Sequence, residues 1–230
     1  ASSAASDVYK RQVRIPVIVK LSQNTTNITK VAKAAKKAGA SAVSAINTVR
    51  GILGVDLETA QPALSTYGGI SGPYIRPMGL ASVAAIAQSV DIPICGIGGV
   101  DSAKHALEYI MLGASAVQVG TAVMTQGHSA IGTIVEELEN WLDAHGLASV
   151  EQVRGKALAN MKSFDEMKIE PAVSTVQSVP CTENCDKCLT SCIYGAISRS
   201  ETSVNVDEQT CTGCGLCTFI CPAKKLKLAW

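Results

Sequence analysis

The chain has 230 residues, 47% of them hydrophobic and 17% charged, with a formal net charge of +1. This length predicts two domains, and the hydrophobic fraction is sufficient to form a substantial core. The balanced charge excludes a basic face for nucleic acid or anionic lipid, and no apolar run approaches the ~20 residues that span a bilayer. We therefore expect a cytoplasmic protein, in a compartment where its nine cysteines stay reduced.

Residues 1–12 are small and polar and lack periodicity, so we take them as a non-native or disordered tail outside the fold. From residue 13 to 145, short β-branched runs alternate with alanine-rich helical runs. Strands are predicted at 15–21, 41–47, 92–100 and 115–124, and helices at 31–40, 103–114 and 131–146, with a long connection after the second strand. Continuously apolar strands that alternate with helices indicate a parallel sheet covered on both faces, either an α/β barrel or a doubly wound sheet.

Polar residues and glycines interrupt the apolar pattern where each predicted strand ends. They are Lys20, Asn47, Thr48, Gly98, Gly99, Gly120 and Thr121. In α/β barrels the functional residues lie at these carboxyl ends of the strands. The glycines after the last two strands let backbone N–H groups approach an oxyanion, so a phosphate such as that of FMN would fit there. Turns also require glycine without any ligand, so GIGGV alone is a weak signal.

Three of these features have a second interpretation. Lys20 ends an apolar strand and meets either a buried anion or only solvent, with its stem lying on the surface. Asn47 and Thr48 offer amide and hydroxyl groups to a flat heterocycle, or Asn47 caps the next helix. The glycine-rich segment 67–77, which contains Gly72, is either an ordered loop over the site or a plain surface connection.

Eight of the nine cysteines form two runs of four between residues 181 and 221. The second run, CTGCGLCTFICP, has the spacing of a 4Fe-4S site whose fourth cysteine binds a neighbouring cluster, and the first run, CTENCDKCLTSC, has one extra residue. The spacing predicts one cluster bound by Cys181, Cys185, Cys188 and Cys221 and another bound by Cys211, Cys214, Cys217 and Cys192. Zinc and disulfides are the alternatives, and the isolated Cys95 fits a small buried hydrophobic residue.

The segments PVIVKLSQN, SAINT, GGISGPYIRPMGL and PICGIGGVDSAKHALEYIMLGASAVQVGTAVM, together with the cysteine runs, resemble the dihydropyrimidine dehydrogenase family of the dihydroorotate dehydrogenase superfamily. The closest resemblance is to the subunit type that joins an FMN barrel to a two-cluster ferredoxin domain. It implies the second half of a TIM (β/α)8 barrel at 13–145, a connector at 146–178, and a small α+β ferredoxin-like domain with two 4Fe-4S clusters at 179–230.

The resemblance also implies roles for individual residues. FMN and its phosphate would contact Lys20, Gly72, Ile97, Gly98, Gly99, Gly120 and Thr121, and the pyrimidine would contact Asn47 and Thr48. The implied reaction interconverts uracil or thymine with the 5,6-dihydropyrimidine. Electrons would pass through the clusters to or from a partner subunit that binds FAD and oxidises NAD(P)H, within an oligomer.

A TIM barrel has eight strands, whereas the region 13–145 offers four. In the family a cysteine on a loop of the first half-barrel is the general acid, and no cysteine precedes Cys95, so no catalytic residue is assigned in this chain. We therefore expect an N-terminally truncated product or fragment. Gln23 and Asn27 depart from the family, which has proline and aspartate there. The alternatives are a dihydroorotate dehydrogenase-like enzyme and a non-catalytic electron carrier of ferredoxin type.

Overall fold

A computed structural model describes residues 12–162, 166, 172–181 and 185–229. The chain divides into two compact units after Met161. Apart from residue 12, the predicted N-terminal tail lies outside the described residues. Nowhere in the described ranges is a helix both long enough and apolar enough to cross a membrane.

The first unit alternates strands and helices in the predicted way. Its elements are β1 (Ile18–Leu21), α1 (Ile28–Lys37), β2 (Ala42–Ala45), β3 (Val49–Gly51), β4 (Gly68–Ile70), α2 (Arg76–Ala87), β5 (Ile94–Ile97), α3 (Ala103–Met111), β6 (Ala116–Gln118), α4 (Thr121–Gln126) and α5 (Ser129–Ala144). The N-cap side chains of Asn27 and Ser102 accept backbone N–H bonds where α1 and α3 begin. Asn27, a departure from the family pattern, thus has a local structural role.

Four strands form a parallel sheet in the order β1-β2-β5-β6. The register places Lys20 beside Ser44, and Ser44 beside Cys95. This confirms the predicted α/β class with a parallel sheet. Among the described residues the sheet is open, because β1 and β6 each pair with a single neighbour, so the half-barrel remains a prediction.

The core lies between this sheet and its helices. Because side chains alternate along a strand, Val19 and Leu21 pack into the core while Lys20 lies on the opposite face. Tyr109 of α3 is fully buried and fills the space beside two glycines. A Cβ on Gly79 of α2 would lie 1.9 Å from Tyr109 Oη, and a Cβ on Gly96 would lie 2.6 Å from Tyr109 Cδ1. These glycines allow α2, α3 and β5 to pack closely.

Three sequence predictions in this unit were wrong or incomplete. The long connection after the second strand contains the hairpin β3–β4 and the helix α2. The strand predicted at 115–124 ends at Gln118, and residues from Thr121 onward form α4, because a short apolar run fits a helix as well as a strand. Asn47 caps no helix, since the next element is β3.

The predicted connector 146–178 is not a separate segment. Its first part packs on α3, where Val153 is buried with Leu107 and Ile110 and the N–H of Gly155 bonds to the carbonyl of Ile110. Its last part contains β7 (Val173–Val176), which pairs with a strand of the second unit. The boundary between the two units falls after residue 161, inside the predicted connector 146–178.

The second unit is small and mixed, as predicted. After β7 it contains α6 (Lys187–Ser191), β8 (Ile197–Arg199), β9 (Val204–Val206), α7 (Leu216–Ile220) and β10 (Leu226–Ala229). β7 pairs with β10 and β8 pairs with β9, both antiparallel. Its core combines apolar side chains with cysteines: Cys188, Ile197, Val204, Cys217 and Leu226.

Candidate functional site

An open cleft of about 330 Å³ lies at the carboxyl ends of the parallel strands. Such a volume is typical of small-molecule sites. Its wall contains every residue predicted to contact FMN, together with Thr48: Lys20, Gly72, Ile97, Gly98, Gly99, Gly120 and Thr121. The structure therefore brings together side chains from β1, from the ends of β2, β5 and β6, and from the segment that precedes α2.

The backbone around Gly99 requires glycine. Its φ of +69° lies in the left-handed region, and a Cβ would stand 2.7 Å from the carbonyl oxygen of Gly72 and 2.9 Å from Arg76 Cβ. The carbonyl of the neighbouring Gly98 accepts a 2.8 Å hydrogen bond from the buried Tyr109 hydroxyl. Burial raises the pKa of Tyr109 to about 12, so this hydroxyl remains a donor at neutral pH. The buried Tyr109 hydroxyl thus holds the turn after β5 in place from the core side of the sheet.

The segment 67–77 reaches the cleft directly. Its Ser71 accepts a 3.0 Å hydrogen bond from Thr121 Oγ1, which joins this segment to the start of α4. At Gly120 a Cβ would meet no heavy atom within 4 Å, so a larger side chain would extend into open space beside the cleft. At Gly120 no side chain covers the backbone, and the hydroxyl groups of Thr121 and Ser71 lie close by. This combination is suited to binding a phosphate.

Asn47 and Thr48 differ in their position relative to the cleft. Thr48 lines the cleft, whereas Asn47 is not among its lining residues. The Asn47 side chain accepts a 2.9 Å hydrogen bond from the N–H of Thr48. Asn24 donates to the Thr48 carbonyl at 3.3 Å and accepts from the Arg50 N–H at 3.0 Å, so it ties β3 to the end of β1.

Sequence reasoning missed two polar features of the cleft. Gln118 of β6 lines it and forms a side-chain hydrogen bond with Cys95. The signal for Gln118 was a single polar residue inside an apolar run. Burial is the main cause that raises the pKa of the Cys95 thiol. Cys95 is only partly buried, whereas the sequence predicted a small buried hydrophobic residue.

The second missed feature is a group of four charged or titratable side chains behind the Gly99 turn. Asp101 lines the cleft and lies 2.5 Å from His105 Nδ1, while His105 Nε2 contacts the guanidinium of Arg76. Arg76 Nε lies 3.3 Å from Glu108 Oε2. Because a guanidinium only donates, Nε2 of His105 is the acceptor in its contact with Arg76, while Nδ1 lies beside Asp101 without forming a hydrogen bond. No sequence signal joined residues so far apart in the chain.

The cysteines of the second unit line two cavities. One is lined by Cys181, Cys185, Cys188 and Cys221. The other is lined by Cys192, Cys211, Cys214 and Cys217. These are the two ligand sets predicted from the spacing, including the exchange of the fourth cysteine between runs.

The cysteines of each set lie as separate thiols around the wall of their cavity. All nine cysteines are free thiols. Across the described ranges, no three His, Cys, Asp or Glu side chains converge on one metal ion, as a tetrahedral zinc site with Zn–S of about 2.3 Å requires. A 4Fe-4S cluster is held by four separate thiolates around a larger body, which matches cysteines spread over a cavity wall.

Electrostatics at the first cavity also favour a bound cationic group. Burial raises the pKa of Cys188, and the neighbouring Cys221, Cys181 and Cys185 raise it further. Four thiolates at this site therefore need compensating positive charge, which iron provides. Backbone N–H groups assist in both cavities: Lys225 donates to Cys221 Sγ at 3.3 Å, and Ser174 donates to Cys211 Sγ at 3.4 Å.

Comparison with known proteins relates both parts of the chain to redox proteins. Residues 1–142 match the dihydroorotate dehydrogenase family profile, and residues 203–226 match a 4Fe-4S binding domain. A protein of Pelobacter propionicus named dihydroorotate dehydrogenase B (NAD(+)), catalytic subunit, is 45% identical over 147 residues, which are 64% of this chain and 48% of that protein. A protein of the same name from Pyrococcus furiosus is 46% identical over 143 residues, 62% of this chain and 47% of that protein.

The chain thus spans about half the length of the curated relatives it matches. The relatives bear out the superfamily part of the sequence resemblance. The narrower resemblance to dihydropyrimidine dehydrogenases remains a prediction.

Proposed function

This chain belongs to the dihydroorotate dehydrogenase family, and we propose that it binds FMN in its cleft and carries electrons on two 4Fe-4S clusters in its second unit. The observation that carries the proposal is the cleft at the carboxyl ends of four parallel strands, whose wall gathers Lys20, Thr48 and the two glycine turns. The grouping of the cysteines into two sets of four supports the second half of the proposal.

FMN, when bound, supplies an acceptor for two electrons that can also exchange electrons one at a time with iron–sulfur clusters. The chain supplies position and charge. Lys20 places an ammonium group on the cleft side of β1, where it stabilises negative charge on a bound ring. The turns at Gly99 and Gly120 leave backbone close to the cleft, and Thr121, whose hydroxyl donates to Ser71, leaves the Ser71 O–H as a donor for the phosphate.

The first candidate reaction is the oxidation of dihydroorotate to orotate, because the named relatives are dihydroorotate dehydrogenases. The reaction removes a hydride and a proton from adjacent ring carbons. In this chain Thr48 supplies a hydroxyl in the cleft wall, and Asn47 orients the peptide that carries it. The proton-transferring group is not assigned to any residue of this chain.

The second candidate is the interconversion of uracil or thymine with the 5,6-dihydropyrimidine. It is favoured by one observation, the presence of eight clustered cysteines on the same chain as the cleft. An FMN barrel joined to a two-cluster ferredoxin domain is the arrangement of the dihydropyrimidine dehydrogenase subunit type that the sequence resembles. The pyrimidine contacts proposed for Thr48 and Asn47 are the same in both candidates.

Electrons need a further partner. The relatives are named as catalytic subunits that use NAD(+), and this sequence has no GxGxxG between a strand and a helix that would indicate its own dinucleotide site. We therefore propose a partner subunit that binds FAD and oxidises NAD(P)H, within an oligomer.

The test uses the full chain, reconstituted anaerobically with FMN, iron and sulfide. Flavin fluorescence gives the FMN affinity, which Lys20→Ala should lower while Lys33→Ala, an exposed lysine on α1, should not. Orotate and uracil are then titrated against the bound flavin, and the ligand that shifts its absorbance identifies the substrate class. Cluster absorbance without any flavin binding would instead support a non-catalytic electron carrier.

A further inference from the structure

The two cysteine runs of the second unit are followed by equivalent segments. Cys192 is followed four residues later by Ala196 and then Ile197, and Cys221 is followed four residues later by Lys225 and then Leu226. Ile197 and Leu226 begin the strands β8 and β10 and both belong to the core. Ala196 and Lys225 therefore occupy corresponding positions, and their exposed fractions are 3% and 5%. One half of the unit buries a methyl group where the other half buries an ammonium-bearing side chain.

Lys225 contacts the ligand residue Cys221 and the backbone two residues before Cys181. Its backbone N–H donates to Cys221 Sγ at 3.3 Å, and its Nζ donates to the carbonyl oxygen of Val179, two residues before Cys181. The Val179 carbonyl is neutral, so this contact does not cancel the positive charge. Burying an ammonium group is costly unless negative charge lies near it. A cluster held by four thiolates provides that negative charge.

Among the described residues that line the second cavity there is no corresponding cation. Its wall consists of Cys192, Cys211, Cys214, Cys217 and neutral residues that include Ser174, Tyr194 and Ala196. The first cavity also borders Lys187, but that side chain is exposed and its charge is screened by water and salt. The exposed Arg199 also donates to the Cys185 carbonyl at 2.6 Å, so the buried Lys225 is the charge beside the first cavity that solvent screens least.

From this asymmetry we propose that Lys225 raises the reduction potential of the cluster bound by Cys181, Cys185, Cys188 and Cys221, so that this cluster is reduced before the other. The inference rests on the proposed two-cluster function. Reduction adds one negative charge to a cluster, and a nearby buried cation stabilises that charge. Hydrogen bonds to sulfur and the local net charge are known determinants of cluster potentials.

The size of the change in reduction potential follows from the distance between Lys225 Nζ and the ligand cysteines. Val179 is two residues from Cys181, which places Nζ within roughly 10 Å of the ligand set. A unit charge at that distance, in a medium of effective dielectric constant ~20, changes a one-electron equilibrium on the order of tenfold. Tenfold corresponds to ~59 mV for a one-electron couple.

The experiment is a redox titration of the full chain, reconstituted anaerobically and followed by the electron paramagnetic resonance of the reduced clusters. Iron and sulfide analysis first establishes that each sample holds two clusters. In Lys225→Met we expect one of the two potentials to fall by about 59 mV and the other to stay, whereas Lys225→Arg keeps both. Lys227→Met is the matched control, because Lys227 lies on β10 and is exposed; it should change neither potential.

Each other outcome overturns the inference. Equal shifts of both potentials, or the same small shift in Lys225→Met and Lys227→Met, would show that Lys225 has no local effect. Loss of the first cluster from both Lys225→Met and Lys225→Gln would make this lysine a structural residue. Wild-type protein that binds fewer than two clusters would instead refute the two-cluster assignment, and this result is visible in the iron content before any potential is measured.

Discussion

The contact between α2 and α3 predicts a strong coupling between two substitutions. A Cβ on Gly79 would stand 1.9 Å from Tyr109 Oη but 3.1 Å from Tyr109 Cζ. Removal of the hydroxyl in Tyr109→Phe therefore opens the space that Gly79→Ala needs. Each substitution alone should destabilise the first unit, and the pair should cost far less than the sum.

The magnitudes can be worked from the contacts. In the wild-type background, Gly79→Ala overpacks the core at a cost of about 1–3 kcal/mol and displaces the Tyr109 hydroxyl, which loses its bond to Gly98 at about 1 kcal/mol. The better helix propensity of alanine returns about 1 kcal/mol, so the net cost is about 2 kcal/mol. In the Tyr109→Phe background only the tight 3.1 Å contact remains, which the propensity gain offsets. The expected coupling free energy is about 2 kcal/mol.

The assay is urea unfolding of the full chain, followed by the fluorescence of Trp141 on α5. The second tryptophan of the sequence, Trp230, is replaced by phenylalanine in all variants so that the signal reports on the first unit alone. The four variants of the cycle give the coupling directly. A cost of Gly79→Ala that is equal in the two backgrounds, within about 0.5 kcal/mol, would refute the packing argument.

Other substitutions test the cleft and the cysteine cavities. Because burial raises the pKa of Tyr109 from 10.0 to about 12, ionisation is easier in the unfolded chain, so the free energy of unfolding should fall between pH 10 and 12, and less in Tyr109→Phe. Thr121→Val should weaken FMN binding by about fivefold through loss of one hydroxyl, measured by flavin fluorescence, while Thr133→Val on α5 should leave it unchanged. Cys188→Ala should halve the bound iron, whereas Cys95→Ala, which lies in neither cysteine cavity, should not.

The sequence predicted the sites better than it predicted the elements between them. Lys20 and Gly120 were assigned to one site because parallel strands bring their carboxyl ends to the same edge. Helix α2 was missed because it buries residues on more than one side, Gly79, Ser82 and Val83 among them, and so lacks an amphipathic period. Arg76 begins that helix, so its contact with His105 could not be predicted once the helix had been missed.

The cysteine spacing predicted both ligand sets, but it could not predict their surroundings. Lys225 lies just before β10 and is buried, whereas Lys227 lies on β10 and is exposed. Residues two apart share a face of a regular strand, so this difference is set by the folded unit and not by the alternation of the sequence. The extra residue in the first cysteine run left the four-cysteine grouping intact. Spacing therefore predicts which cysteines group together, whereas the relative potentials of the proposed clusters would depend on the fold.

The two sites are built by the same physical device, in which glycine brings backbone close to the position of a bound group. At the cleft, Gly99 lets the chain pass against the Gly72 carbonyl. In the second cysteine run, Gly213 has a φ of +67°, and a Cβ there would stand 2.1 Å from the carbonyl oxygen of Ala172. This close approach holds the Cys211 loop beside β7, whose Ser174 donates its N–H to the Cys211 sulfur. In the proposed function, backbone donors set by glycine would serve an anionic phosphate in one unit and anionic sulfur in the other, which is why glycine and cysteine were the most informative residues in this sequence.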